Sequence, residues 1–90
     1  MTLEEQARQN RIKRLIYRAS YTGMKETDLL LGRFAQHHLP SLSDADLTDF
    51  ENLLDQGDPV LYAWIKSDEE VPEEFDTTVF KLIKDFDIAK

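Results

Sequence analysis

The sequence has no cysteine, which excludes a disulfide framework, thiol chemistry and thiolate metal sites. It has no apolar run close to the roughly 20 residues that cross a bilayer, and its start, MTLEEQARQNRIKRL, lacks the apolar segment of a secretory signal. Glu4 and Glu5 argue against a mitochondrial transit peptide, because such peptides are poor in acidic residues. We therefore expect a protein of the bacterial cytoplasm that does not insert into a membrane.

Basic residues are scarce outside the first third of the chain. Residues 1–33 carry seven Lys and Arg against four Asp and Glu, residues 34–90 carry four against fourteen, and the net charge is -7. An acidic protein is repelled on average by nucleic-acid phosphates, so nucleic-acid binding would have to rest on the basic first third alone. We expect no nucleic-acid partner.

The size and composition favour one folded domain. Ninety residues, of which 41% are hydrophobic and 32% charged, supply one core and not two. The sequence predicts a single domain over residues 1–90, with residues 1–9 as a candidate flexible start and residues 87–90 as a tail.

Helix-start signals and apolar periodicity predict five helices. The predicted caps or first residues are, in chain order, Thr2, Met24, Ser43, Asp58 with Pro59, and Asp76 or Thr77. The apolar residues at helical spacing include Ile12, Leu15 and Ala19, then Leu30, Leu31, Phe34 and Ala35, then Leu47, Phe50, Leu53 and Leu54, then Val60, Leu61, Trp64 and Ile65, and finally Val79, Phe80, Ile83 and Phe86. No stretch alternates with period two for long enough to form a strand. We predict an all-α fold, a compact bundle of five short helices.

Two prolines lie between the predicted helices. Pro40 ends the second helix, because it lacks an amide hydrogen and is expected to push Leu39 out of helical geometry. Pro72 lies in the acidic segment 67–74, SDEEVPEE, which we expect to form a solvated loop.

The residue constellations of common enzymes are missing, since there is no glycine-rich phosphate loop and no His-Glu-x-x-His pattern. His37 and His38 are adjacent, which places them about 100° apart on a helix and disfavours a shared metal. Trp64 lies on an apolar helical stripe and is better explained as a core residue than as a stacking platform, whereas Tyr62 lies at the edge of that stripe. We assign no catalytic and no metal-binding residue.

The bend between the first two predicted helices places a charged and an apolar residue outside the buried face. Gly23 lies in the bend, and helical periodicity places Glu26 and Leu29 outside the buried face of the second helix. Two interpretations are open for Leu29: it contacts a partner, or the first helix folds back over it.

The order and spacing of several short motifs resemble those of the FAD assembly factors of the SdhE type over about residues 11–86. The matching pieces are Arg14-Leu-Ile-Tyr17, Gly23-Met-Lys-Glu26-x-Asp28, Leu42-Ser-Asp44, Phe50-x-x-Leu53-Leu54-Asp55 and Asp58-Pro59-x-Leu61-Tyr62-x-Trp64-Ile65. The second piece resembles the family's Arg-Gly-x-x-Glu motif, with Thr22 where the family has its arginine. Threonine offers one hydroxyl where a guanidinium offers five donors. If the family's arginine anchors the complex, three alternatives are open: this chain binds more weakly, it relies on Arg18 or Lys25 instead, or it is a variant changed at that site.

The resemblance implies an accessory protein and not an enzyme. Such a protein would bind the flavoprotein subunit of succinate dehydrogenase, or the related fumarate reductase subunit, and promote the covalent attachment of FAD held by that subunit. It would hold no flavin stably itself, and we expect it to be a monomer alone. The candidate partner-binding residues are Tyr17, Arg18, Thr22, Gly23, Met24, Lys25, Glu26, Asp28 and Leu29.

A second interpretation keeps the helical fold without the flavin role. In it the chain is a helical adaptor or an antitoxin-like interaction module, and a pull-down would recover a partner other than a flavoprotein.

Overall fold

The computed structural model describes residues 2–66 and 70–89. The helices are α1 (Leu3–Ser20), α2 (Lys25–His38), α3 (Asp44–Leu54), α4 (Asp58–Lys66) and α5 (Thr78–Ala89), with 3-10 turns at Leu39–Ser41 and Glu73–Phe75. No strand occurs among these described residues. The predicted all-α fold of five helices is confirmed.

Side-chain caps begin three of the helices where the sequence predicted them. The capping bonds run from Glu5 N to Thr2 Oγ1 at 3.1 Å, from Asp46 N to Ser43 Oγ at 3.1 Å and from Phe80 N to Thr77 Oγ1 at 3.2 Å. Each bond satisfies an amide that has no partner within its own helix. Thr77, and not Asp76, is therefore the cap of α5.

One cluster of buried apolar side chains joins all five helices. Phe34 of α2 connects three of them, because its ring centroid lies 5.8 Å from that of Phe50 in α3 and 5.9 Å from that of Phe86 in α5. Burying a side chain of this kind contributes about 1.5–3 kcal/mol. The radius of gyration, 12.8 Å, is that of a compact chain of this length.

Helix α1 packs mainly along α2. A Cβ atom added to Gly32 would lie 2.7 Å from Ser20 Oγ, so the two helices approach closely where α2 has no side chain. The resulting α1–α2 hairpin turns through residues 21–24, and its buried residues Ala19, Leu31 and Phe34 face the rest of the core.

Some local predictions need correction or extend past the described residues. Leu39 keeps helical dihedrals of -55° and -40° and is fully buried, so the prediction that Pro40 would displace it from helical geometry was wrong. The amide of Leu42 donates to Leu39 O at 3.1 Å, which closes a 3-10 turn through Pro40. Residues 67–69 of the loop predicted over 67–74 lie outside the described residues, and the last two residues of that loop belong to the Glu73–Phe75 3-10 turn.

The predicted flexible start and tail of the domain stay predictions. Helix α1 already begins at Leu3, and α5 extends to Ala89 through most of the predicted tail.

Candidate docking surface at the first inter-helical bend

The bend between α1 and α2 depends on Gly23. Tyr21 ends α1, and its amide donates to Arg18 O at 3.3 Å. Gly23 then adopts a φ of 114°, a conformation that residues with a Cβ rarely accept. The backbone can reverse direction here within four residues, which leaves Gly23 exposed.

A bond network between Thr22 and Asp28 closes the bend. The Thr22 amide donates to Asp28 Oδ1 at 2.6 Å, and the Thr22 hydroxyl donates to the same oxygen. This hydroxyl lowers the pKa of Asp28 most, desolvation acts in the opposite direction, and the amides of Thr22 and Gly23 lower it further. The net pKa lies below the ordinary value for aspartate, so Asp28 is ionised near neutral pH and holds the turn together.

The first turn of α2 presents charged and apolar groups to solvent. Lys25 and Glu26 are exposed, and neither side chain has an ion-pair or hydrogen-bond partner among residues 2–66 and 70–89. Leu29 is 49% exposed. Helix α1 therefore does not cover Leu29. The interpretation in which the first helix folds back over Leu29 is wrong.

The end of α1 adds two aromatic side chains beside the bend. Tyr17 and Tyr21 are 68% and 70% exposed, and their ring centroids lie 4.7 Å apart. Tyr21 was absent from the predicted partner-binding residues. Its spacing of four residues from Tyr17 places both on one side of α1, and this signal was available in the sequence.

The predicted site residues divide into two groups. The open group consists of Tyr17, Gly23, Lys25, Glu26 and Leu29, all exposed. The remaining four make contacts within the chain or are half-buried: Arg18, whose guanidinium pairs with Asp55, Thr22 and Asp28, which bond to each other, and Met24, the half-buried N-cap residue of α2. We call Gly23, Lys25, Glu26 and Leu29 the bend surface.

The two adjacent histidines considered as metal ligands contact aromatic rings in the structure. His38 stacks on Phe34 with a centroid distance of 4.7 Å, and His37 lies 5.9 Å from the ring of Phe86. Within the described ranges, no group of three or more His, Asp or Glu side chains is arranged to hold a metal ion. Among the described residues, no helix has the length and apolarity needed to cross a membrane.

Comparison with known proteins gives a family match over most of the chain. The sequence profile of the Sdh5 family, described as the flavinator of succinate dehydrogenase, matches residues 13–87.

Individual relatives agree with this profile. The chain is 46% identical over 72 residues to the mitochondrial succinate dehydrogenase assembly factor 2 of Dictyostelium discoideum, covering 80% of this chain and 51% of the relative. It is 36% identical over 83 residues to the protein of the same name from Meyerozyma guilliermondii, covering 88% and 62%. It is 37% identical over 71 residues to the FAD assembly factor SdhE of Acetobacter pasteurianus, covering 79% and 65%. The chain thus spans between about half and two thirds of the length of these three relatives.

Proposed function

The chain belongs to the Sdh5 family, and we propose from this membership that it is an assembly factor for succinate dehydrogenase. In this proposal it binds the flavoprotein subunit through the bend surface and promotes the covalent attachment of FAD to that subunit. The relatives named as succinate dehydrogenase assembly factors and as an FAD assembly factor support the assignment.

The observation that carries the proposal is an exposed carboxylate, without an ion pair among residues 2–66 and 70–89, beside an exposed glycine. Glu26 lies three residues after Gly23, whose φ of 114° brings bare backbone to the surface. A partner backbone can approach such a glycine closely. A carboxylate that becomes partly desolvated in an interface makes stronger hydrogen bonds than one in water.

The proposed role of the chain is positional. The flavoprotein would hold both the FAD and the residue that becomes bonded to it, and this chain would favour the arrangement in which the two meet. Fixing reacting groups in place is worth about 7–11 kcal/mol at most, and a helper would supply part of it. The bond formation itself would be autocatalytic on the flavoprotein, and this chain would hold no flavin stably.

The departure at Thr22 has a structural consequence for the proposal. Thr22 bonds to Asp28 and offers no cation to a partner, and Arg18 is paired with Asp55. Lys25 is exposed next to Glu26 and has no ion pair among the described residues. We therefore propose that Lys25, and not Arg18, supplies the cation that the family's arginine would offer to the partner.

Several finer points belong to the proposal. The fumarate reductase flavoprotein is a second expected partner, and the chain is expected to be a monomer alone. The bacterial cytoplasm stays a prediction, because the relatives include mitochondrial proteins as well as a bacterial one.

The direct experiment is co-expression of the flavoprotein subunit with and without this chain, followed by in-gel fluorescence of covalently held flavin. We expect clear labelling only when the chain is present. Equal labelling in both samples would show that the chain does not promote flavin attachment.

A variant at Glu26 tests the site. Glu26→Ala is expected to weaken binding to the flavoprotein about tenfold or more, because a hydrogen bond to a charged group contributes about 1.5–3 kcal/mol. Glu74→Ala is the matched control, since Glu74 is also exposed and lies in the 3-10 turn far along the chain from the bend. Equal binding by the two variants would exclude Glu26 from the interface.

A further inference from the structure

The cations of α1 fall into two groups with different surroundings. On the side facing α3, Arg8 pairs with Asp44 at 2.7 Å. Arg11 Nη2 lies 3.5 Å from Glu51 Oε1, and Arg18 pairs with Asp55. These three arginines form ion pairs between α1 and α3 or the residue that caps α3, so their charges are balanced within the protein.

The other group lies on the outer ridge of α1, which we define as Lys13, Arg14, Tyr17 and Tyr21. Helical periodicity places Lys13, Arg14 and Tyr17 on the half of α1 opposite its buried residues. Tyr21 directly follows α1, and its ring lies beside that of Tyr17. All four side chains are exposed. Neither Lys13 nor Arg14 forms an ion pair with any residue in 2–66 or 70–89. Within the described residues, the outer ridge thus combines two unpaired cations with two tyrosine rings whose centroids lie 4.7 Å apart at an interplanar angle of 39°.

This combination is not needed for the solubility of the chain. The net charge of -7 comes from the later acidic residues, and the two cations reduce its magnitude. Tyrosine and arginine are enriched in protein interfaces, since they bring large contact areas and several hydrogen-bond donors. The outer ridge is therefore better explained by binding than by solvation.

We propose that the outer ridge of α1 is a second contact area, which binds an acidic patch on the same flavoprotein subunit that the bend surface binds. This inference rests on the proposed function. It is supported by continuity, because Tyr21 directly precedes Thr22 and Tyr17 lies one helical turn earlier. It is also supported by charge, because two unpaired cations favour an acidic partner surface. A nucleic acid fits less well, since the rest of this chain repels phosphates.

The test measures association and dissociation rates by surface plasmon resonance, with the immobilised flavoprotein subunit and this chain at two salt concentrations. Lys13→Glu/Arg14→Glu is expected to slow association about tenfold at low salt and to abolish most of its salt dependence, because exposed charges act mainly on encounter. Tyr17→Ser/Tyr21→Ser is expected to speed dissociation about tenfold with little change in salt dependence. Far-UV circular dichroism checks that each variant stays helical.

Lys81→Glu/Lys84→Glu is the matched control, since it makes the same change in net charge on α5. It is expected to alter the association rate less than about threefold. If the control slows association as much as the ridge variant, overall charge is responsible and the inference is overturned. If both ridge variants bind the flavoprotein with the same rates as the wild type, the outer ridge is not a contact area, and the proposed function stays intact.

Failure of the wild-type chain to bind the flavoprotein at all would defeat both proposals together. Binding of a DNA or RNA duplex that disappears in Lys13→Glu/Arg14→Glu would assign the ridge to nucleic acid and overturn the acidic protein partner.

Discussion

On the inner face of the α1–α2 hairpin Phe34 is fully buried against Phe50 and Phe86, whereas on the outer face Leu29 of the same helix is half exposed. The same contrast holds on α1, where Ala19 is fully buried and Tyr17 is 68% exposed. Both faces thus carry large apolar side chains, but those of the inner face are enclosed by the core, whereas about half or more of each outer-face side chain is in solvent.

This difference separates stability from binding within one pair of helices. Inner-face contacts are made in the free protein, so their loss lowers the free energy of unfolding. Outer-face side chains make few contacts in the free protein, so we expect their substitution to weaken binding to the partner and to change the free energy of unfolding little. The variants below test that separation, beginning with the largest expected effect.

Phe34→Ala is expected to cost about 3–5 kcal/mol of unfolding free energy, because it removes a buried ring and leaves a cavity. A protein of ninety residues has a total of roughly 5–13 kcal/mol, so the variant should be partly unfolded or close to it. The measurement is urea unfolding followed by far-UV circular dichroism. Flavin attachment should fall together with the helical signal.

Leu29→Ala on the outer face of the same helix is the comparison for Phe34→Ala. It is expected to cost about 1 kcal/mol or less, because half of the side chain is already in solvent. It should reduce flavin attachment at unchanged helicity. A stability loss as large as that of Phe34→Ala would mean that the two faces do not differ in the way described.

Thr27→Val, on the inner face, is expected to raise the free energy of unfolding, whereas Phe34→Ala lowers it. Thr27 is fully buried in α2, and its Oγ1 has no hydrogen-bond partner in the described part of the chain. Replacing the unsatisfied hydroxyl by a methyl group should raise the unfolding free energy by about 1 kcal/mol. Flavin attachment should stay at the wild-type level, since the outer face is untouched.

Thr27→Ser is the control for this prediction, because it keeps the hydroxyl and removes the methyl group. It should be less stable than the wild type, and the order Val, Thr, Ser should hold in guanidinium unfolding. A valine variant less stable than the wild type would show that the hydroxyl is satisfied in solution.

The fold was largely predictable from local signals in the sequence. The caps at Thr2 and Ser43 and the apolar period specify helices whichever way they pack. Leu39 was the exception, because the pre-proline preference is only a bias. The burial of Leu39 and the bond from Leu42 outweighed it.

The candidate site was predictable only in part. Periodicity showed that Leu29 leaves the buried face of α2, but it could not show whether α1 covers it, since that depends on how the two helices pack. The bond between Thr22 and Asp28 joins residues on either side of Gly23, and it forms only because Gly23 adopts its positive φ. Residue types and helical spacing contain no signal for such a contact.

The smallest expected effect concerns this bond, which lies where the inner and outer faces meet. Asp28 has a lowered pKa in the folded protein, so its contribution to stability is present above the ordinary aspartate pKa of about 3.9. The contribution is lost as pH falls through the lower, folded pKa. Thr22→Val removes the hydroxyl that lowers the pKa most and keeps the amide that also bonds to Asp28.

Thr22→Val should therefore be less stable than the wild type at pH 6, and the two should approach each other at pH 3. Chemical unfolding at both pH values measures this difference, and the other carboxylates cancel because both proteins share them. Thr22→Ser keeps a hydroxyl and should retain most of the wild-type pH dependence. A stability difference between Thr22→Val and wild type that is the same at both pH values would mean that Asp28 is not held by that hydroxyl. The bend would then depend on Gly23 and the backbone amides alone.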